Sequence, residues 1–475
     1  MSENTRITAE AATFAASLRY DAIPPDALKV GRRCLIDGIG QFVAGSTTEP
    51  VAIVAKDAKE QGGREEALLL GGGTAKVPAP LAARVLGTAG HALDWDDTQA
   101  SKDPRHTYGL LTHPTVPPLA AALAMAQKLG AVSGRDFMTA FQAGFEVECK
   151  IAEWMLPDAY KRGLHASAAE GTIGAAVAAG KLLKLDADTL RYAIGIAASC
   201  SAAGIRANVG TMTKPLHFGA AAENGIMAAQ LAARGLEAND SALDGAYGFL
   251  TVFSGGMFEE KLAQGFGKTF SIVDPGVAIK PYPSGILTHQ AMDAMLALVT
   301  ENDVKPEDVE AITFYAGSNI LKPISYAFAK DHLEAKFCVP ALLAMIALKR
   351  RAGQNEFSDA FVQSPAMVDM QRRIKTELDP EIEAQGFDKI RSRIVLTTKT
   401  GETVERWADE RYRGSPDNPM TDADVEDKFK ICVERILSLE RQKELLAEIW
   451  RIDDEETKDA GRLAVLMQPE PEEKP

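Results

Sequence analysis

The sequence predicts a mainly α protein, in which a large all-helical domain formed by both ends of the chain carries a smaller inserted α+β domain. Three observations predict it. Between residues 8 and 233, segments rich in Ala, Gly, Ile and Leu repeat apolar positions at helical spacing. Near Phe266 the texture changes to short alternating runs with turn signals. After Trp407 helical periodicity returns, so the last segment is expected to pack back on the first. The expected division is 1–267 and 408–465 for the helical domain, 268–407 for the α+β domain, and 466–475 for a disordered tail. A chain of 475 residues exceeds what one hydrophobic core organises, which fits more than one domain.

Taken in order, residues 8–18 and 25–44 predict an antiparallel helix pair, with Thr8 as N-cap. Residues 67–70 form a short apolar run ended by Gly71, Gly72, Gly73 and Thr74, which lacks phosphate-loop spacing and reads as a turn. Helices are expected over 77–90, 118–129, 134–154, 168–183, 189–201 and 215–233. Strands are expected over 270–279 and 309–315, with a hairpin of 394–398 and 402–407 about Thr400 and Gly401. Residues 285–298, 306–310 and 335–350 read as helices between them. Thr421 and Asp424 make a capping arrangement ahead of a helix over 425–436, followed by another over 440–449.

The 52 basic and 66 acidic residues give a formal charge of −14, which offers neither nucleic acid nor an anionic lipid surface a partner. Cys34, Cys149, Cys200, Cys338 and Cys432 have no metal-ligand spacing and read as reduced core thiols of a cytoplasmic protein. The N-terminus lacks the basic start and unbroken apolar core of an export signal, and no apolar stretch is long enough to span a bilayer.

The chemistry concentrates in residues 91–119, which hold His91, Asp94, Asp96, Asp97, His106 and His113, three of the seven histidines of the chain. Three further stretches accompany it: KRGLH (161–165), GTMTKPLH (210–217) and KPYPSGILTH (280–289). Pro215 suits a first helical turn, which sets Lys214 near the positive end of the helix dipole. There it binds a carboxylate, serves as acid or base, or sits at a solvated helix start; spacing alone leaves these open. His165 reaches a site or closes a turn, while His217, His289 and His332 read as core or surface residues.

Asp94 and His113 set against Lys214 and Lys280 would suit proton abstraction next to a carboxylate, with the cations holding an anionic substrate. A second reading has His91, Asp94, Asp97 and His113 bind a divalent metal for hydrolysis, and a third is a non-catalytic binding protein. No dinucleotide, pyridoxal-type or zinc motif is present, so neither an organic cofactor nor a bound metal is expected.

HALDWDDT (91–98) and LTHPT (111–115), then RGLH, GTMTKPLH and KPYPSGILTH, resemble the MmgE/PrpD family in order and separation. AKFCVP (335–340) and NPMTDADVEDKF (418–429) extend the resemblance over nearly the whole chain. That family includes 2-methylcitrate dehydratase, cis-aconitate decarboxylase and iminodisuccinate epimerase. The resemblance implies a helical domain with an α+β lid, a homodimer, and an active site in the cleft between domains. It also implies that Asp94, Thr98, His113, His165, Lys214 and Lys280 are active-site residues.

Two departures stand out. Where decarboxylase members carry a catalytic histidine five residues after the lysine, and dehydratase-like members often a cysteine, this chain has Gly285, so a second acid or base falls to Tyr282 or His106. The 98–113 spacer is long and adds Lys102, Arg105, His106 and Tyr108 as pocket, dimer or surface elaboration. The expectation is a cofactor-independent lyase of a small polycarboxylate. Dehydration comes first, epimerisation and decarboxylation after it. Asp94, His113, Lys214 and His165 are its catalytic candidates, and Thr98, Lys280 and Tyr282 its substrate contacts.

Overall fold

The computed structural model describes residues 7–100, 110–155, 159, 162–165, 167–201, 204–256, 265–386 and 390–470. Lys102, Arg105, His106 and Tyr108 lie outside them. The fold is mainly α. The chain divides into two compact units, one within residues 1–100, 110–277 and 421–475, the other within 278–420.

In the first unit, α1 (Ile7–Ser17), α2 (Pro25–Gly45) and α3 (Glu49–Gln61) lead through a short ladder, β1 (Ala67–Leu68) with β2 (Lys76–Val77), into α4 (Ala79–Ala92). Strands β3 (Thr98–Ala100) and β4 (Leu110–Thr112) pair before α5 (Val116–Leu129) and α6 (Gly134–Met155). Then come β5 (Leu164–His165), α7 (Ser167–Leu182), α8 (Ala187–Ser199), β6 (Gly204–Ile205) and α9 (Thr213–Ala232). Helix α4 crosses α9 backbone to backbone: a Cβ on Gly87 would lie 2.6 Å from the Phe218 carbonyl oxygen. Only glycine permits that approach, and it sets the end of α4 against the start of α9.

The second unit holds one mixed sheet. In the order β11–β10–β8–β9, β8 (Val309–Ala316), β10 (Ser392–Thr398) and β11 (Thr403–Trp407) are antiparallel neighbours. Strand β9 (Ile374–Leu378) runs parallel to β8. Met292 and Met295 of α10 (His289–Glu301) and Leu342 and Ile346 of α11 (Val339–Lys349) share one core with Ile312, Phe314, Ile394 and Leu396 of the sheet. The chain then returns to the first unit in α12 (Asp422–Val433), opened by the expected Thr421–Asp424 capping box, and α13 (Leu439–Trp450). Asp453 beyond them accepts both Arg32 nitrogens at 2.8 Å and the Tyr20 hydroxyl at 2.7 Å, which ties the two chain ends together.

Several expectations are corrected. Thr8 does not cap α1 but sits inside it, its hydroxyl donating to Asp244 and accepting from the Leu243 amide at 3.0 Å. Residues 270–279 are not one strand: a helical turn, Ile272–Gly276, precedes the two-residue β7 (Val277–Ala278). Pro275 has no N–H to give a ladder, and Gly276 has φ 93°, outside the strand region. Cys200 is exposed rather than in the core. Of the expected tail, Leu466 and Met467 are buried and Glu470 accepts from the Ser438 amide at 3.3 Å.

Candidate active site

The centre is built on the turn that ends α4. Asp94 adopts the left-handed conformation, φ 56°, which an aspartate tolerates far better than a β-branched residue. Trp95, the next residue, is driven into the core. The turn is braced from the far end of the sequence: Lys428 on α12 donates to the Trp95 carbonyl at 2.7 Å and pairs with Asp37 of α2 at 2.6 Å. Burial raises the Asp37 carboxyl, and the Lys428 ammonium opposes that rise.

Around this turn four imidazoles gather. His91 Nδ1 lies 2.8 Å from both oxygens of Asp96. His113 Nδ1 lies 2.8 Å from the Asp97 carbonyl and 3.4 Å from Asp96. A carbonyl and an ionised carboxylate only accept, so both rings carry their proton on Nδ1 and keep Nε2 as the basic nitrogen. His91 Nε2 is buried and has no hydrogen-bond partner among the described residues. Phe218 stacks on His91 with centroids 3.8 Å apart and meets His113 and His165 edge-on. His165 in turn faces His217, Nδ1 to Nδ1, at 3.0 Å.

A cation, Lys214, enters this cluster. Lys214, in the first turn of α9, places its ammonium 2.9 Å from the Asp94 carboxylate, and both side chains are at most one-tenth exposed. Burial, with Lys214 adding to it, drives the His91 imidazole down to about 3 against the pull of Asp96. Burial and then Lys214 hold His165 well below its ordinary value. Burial also works to raise Asp96, but the His91 and His113 rings outweigh it and keep that carboxyl well below the usual range. Asp97 goes the other way. Burial lifts it to about 8 despite the Thr115 hydroxyl at 2.6 Å, so it is uncharged at neutral pH. The arrangement thus offers neutral bases beside a fixed ammonium, the components of proton transfer next to an anion.

The expected metal quartet is not assembled, because the Asp97 carboxyl is taken by Thr115. Ligand atoms of His91, His113 and His165, and of His91, Asp94 and Asp96, do lie within 4.8 Å of one another. The cation already there is Lys214, whose charge lowers the affinity of His91 and His165 for a proton and would act equally against a second cation.

Of the predicted residues, Asp94, His113, His165 and Lys214 come together through His91. Thr98 follows Asp97 on β3, its hydroxyl buried with no partner among the described residues. Lys280 and Tyr282 are buried in the second unit. There the Tyr282 hydroxyl donates to Asp293 at 2.7 Å beneath the Arg413 guanidinium. Sequence reasoning passed over Phe218 and Lys428 and set His217 aside. The signal for two of them was in the spacing: Lys214, His217 and Phe218 stand at i, i+3 and i+4 and share one face of α9. Nothing in the 418–429 stretch singled out Lys428 from its neighbours.

Fold and centre define a mainly α protein with a buried acid–base cluster. The chain belongs to the MmgE/PrpD family, whose N-terminal domain matches residues 9–261 and whose C-terminal domain matches residues 282–454. It is similar to the cis-aconitate decarboxylase of Homo sapiens, 28% identical over 475 residues that cover 98% of this chain and 96% of that protein. It is also similar to the cis-aconitate decarboxylase of Aspergillus terreus, 25% identical over 92% of this chain and 91% of the relative. A third relative, the cis-aconitate decarboxylase-like protein oryM of Aspergillus oryzae, is 32% identical over 53% of this chain and 52% of its own length. Among the described residues no helix is long and apolar enough to cross a membrane.

Proposed function

We propose that this protein is a lyase of a small polycarboxylate, working as a homodimer without an organic cofactor, and that its reaction is dehydration of a hydroxytricarboxylate. The observation that carries this reading is the Lys214 ammonium, 2.9 Å from Asp94, set among imidazoles kept neutral. His113, or the neutral His165, takes the proton from the carbon next to a carboxylate. The electron pair left behind forms the double bond as the hydroxyl departs, and the Lys214–Asp94 pair supplies the proton that makes it water. Thr98 offers the substrate a hydroxyl, and Lys280 and Tyr282 are assigned to substrate contact by their motif alone. General acid–base help of this kind contributes about 10²–10⁴ in rate.

The names of the relatives support lyase chemistry on a tricarboxylate and favour decarboxylation as the second reading. Gly285 weighs against it. A Cβ there would lie 3.1 Å from Ile324 and 3.4 Å from the Phe337 ring, an apolar and crowded place with no proton donor of its own. The test is proton NMR in deuterium oxide with citrate-like, aconitate-like and aspartate-derived acids. New olefinic signals with loss of the hydroxyl carbon pattern are expected. Release of carbon dioxide instead would replace dehydration by decarboxylation, deuterium exchange without a new product would indicate epimerisation, and inertness of every acid would defeat the reading.

A further inference from the structure

The imidazoles of the centre are not equivalent. His91 and His113 each hold Nδ1 against an oxygen that can only accept, which locks their tautomers. His165 holds Nδ1 at 3.0 Å from another imidazole nitrogen, His217 Nδ1. Two such nitrogens make a hydrogen bond only when one carries a proton and the other does not, and the proton can sit on either. Unlike the Asp97 carbonyl that faces His113, the ring nitrogen facing His165 can take the proton over.

The fold makes room for the contact. Strands β5 and β6 pair His165 directly with Gly204, and His217 sits on α9, one turn beyond Lys214. A Cβ at Gly204 would overlap His217 Nδ1 itself, so His217 reaches His165 only because its cross-strand neighbour has no side chain. The two rings are tilted by 54° with centroids 5.2 Å apart, an end-on meeting of nitrogens rather than a stack.

We propose that His217 is a proton-relay residue for His165, with Gly204 as the opening through which the two rings share one proton. The inference rests on the reading of His165 as a base. Before the reaction His165 carries its proton on Nδ1 and donates to the lone pair of His217 Nδ1. When His165 Nε2 takes a proton from the substrate carbon, the Nδ1 proton passes to His217. His165 is then neutral with its proton on Nε2, and His217 is an imidazolium. Lys214, on the same face of α9, lowers the proton affinity of His217 as burial does, so the imidazolium is short-lived and gives its proton onward from Nε2. The His217 proton goes to solvent. His165 becomes a base again once its Nε2 has released the substrate proton to solvent, His217 Nδ1 has returned the shared proton to His165 Nδ1, and His217 Nε2 has regained a proton from solvent.

Nitrogen-15 histidine NMR of the unliganded protein, together with turnover of three variants, tests this. In the wild type, one ring of the pair is expected as the Nδ1–H tautomer with a far-downfield shared proton. His217→Phe and Gly204→Ala should both abolish that signal and lower kcat by about tenfold or more with KM within about twofold. His217→Gln can replace the hydrogen bond but cannot pass a proton, so it should keep KM and the His165 tautomer without restoring kcat. Wild-type kcat in His217→Gln would overturn the relay, as would wild-type kcat in both other variants or absence of the shared proton. Should His217→Phe fail to fold, as judged by near-ultraviolet circular dichroism, Gly204→Ala and His217→Gln still decide. The NMR signature needs no substrate, so a wild type that converts none of the acids would defeat the functional reading while the shared proton is judged separately.

Discussion

Among the ionisable side chains buried in the helical unit, two clusters treat their charge in opposite ways. Around Asp94 and His91, acids meet a lysine and imidazoles, and Asp96 remains strongly acidic in spite of burial. The second cluster is Glu148 on α6 and Glu170 on α7. There burial pushes Glu148 well above its ordinary value, with Glu170 adding to the rise, and lifts Glu170 to about 8. Glu148 accepts from the Thr112 hydroxyl at 2.9 Å, but no partner is seen among the described residues for its other oxygen or for either oxygen of Glu170. These acids escape the cost of a buried charge by keeping their protons, as Asp97 does, whereas Asp96 offsets it with partners. Buried acidity by itself therefore marks no site. What distinguishes the candidate cluster is a cation, Lys214, set among neutral bases.

The sharpest way to break this contrast is Lys214→Ala. It leaves Asp94 without its ammonium and lifts the charge that depresses His91 and His165, so turnover should fall by about 10³ or more. Histidine NMR titration should show the His91 and His165 values rising. Retention of activity would move the centre elsewhere.

A smaller effect is expected from Glu170→Gln, which should leave turnover within about twofold but change the response of stability to pH. With its value at about 8 in the fold against about 4.3 in the unfolded chain, Glu170 favours folding fully below the lower value, and that contribution is lost as pH rises through the upper one. Between about pH 6 and 8 the wild type should therefore lose roughly 2 kcal/mol more stability than the variant. Equal losses in thermal or urea melts would mean that Glu170 is already ionised.

The smallest expected effect is that of chelation. Prolonged treatment followed by elemental analysis and assay should leave kcat unchanged, because Lys214 is the cation of the centre. A stoichiometric metal whose removal abolishes activity would assign His91, His113 and His165 as ligands instead.

The candidate site residues were more legible in the sequence than the framework around them. Asp94, His113, His165 and Lys214 stand in short motifs whose residue types have few other uses in an apolar helical context, and the long apolar helices declared themselves by periodicity. Helix α3 was missed because only Val51 and Ala58 of its length are buried, which leaves no apolar stripe to detect. Strand β9 was missed for a similar reason: of IKTEL only Ile374 is buried, so the alternation of a strand never appears. The Phe218 stack and the Gly204 opening depend on which helix lies against which strand. That is tertiary information, and a glycine or a phenylalanine in a run of small residues does not carry it.

The brace under Asp94 has a consequence for how the molecule is made. Asp37 and Trp95 leave the ribosome more than three hundred residues before their shared partner Lys428. The helices that carry the imidazoles can collapse while translation continues, yet the turn that presents Asp94 lacks its anchor until the C-terminal helices arrive. A nascent chain stalled before α12, or a message cut short there, would yield a protein with every acid and base of the centre present and the Asp94 turn unsecured.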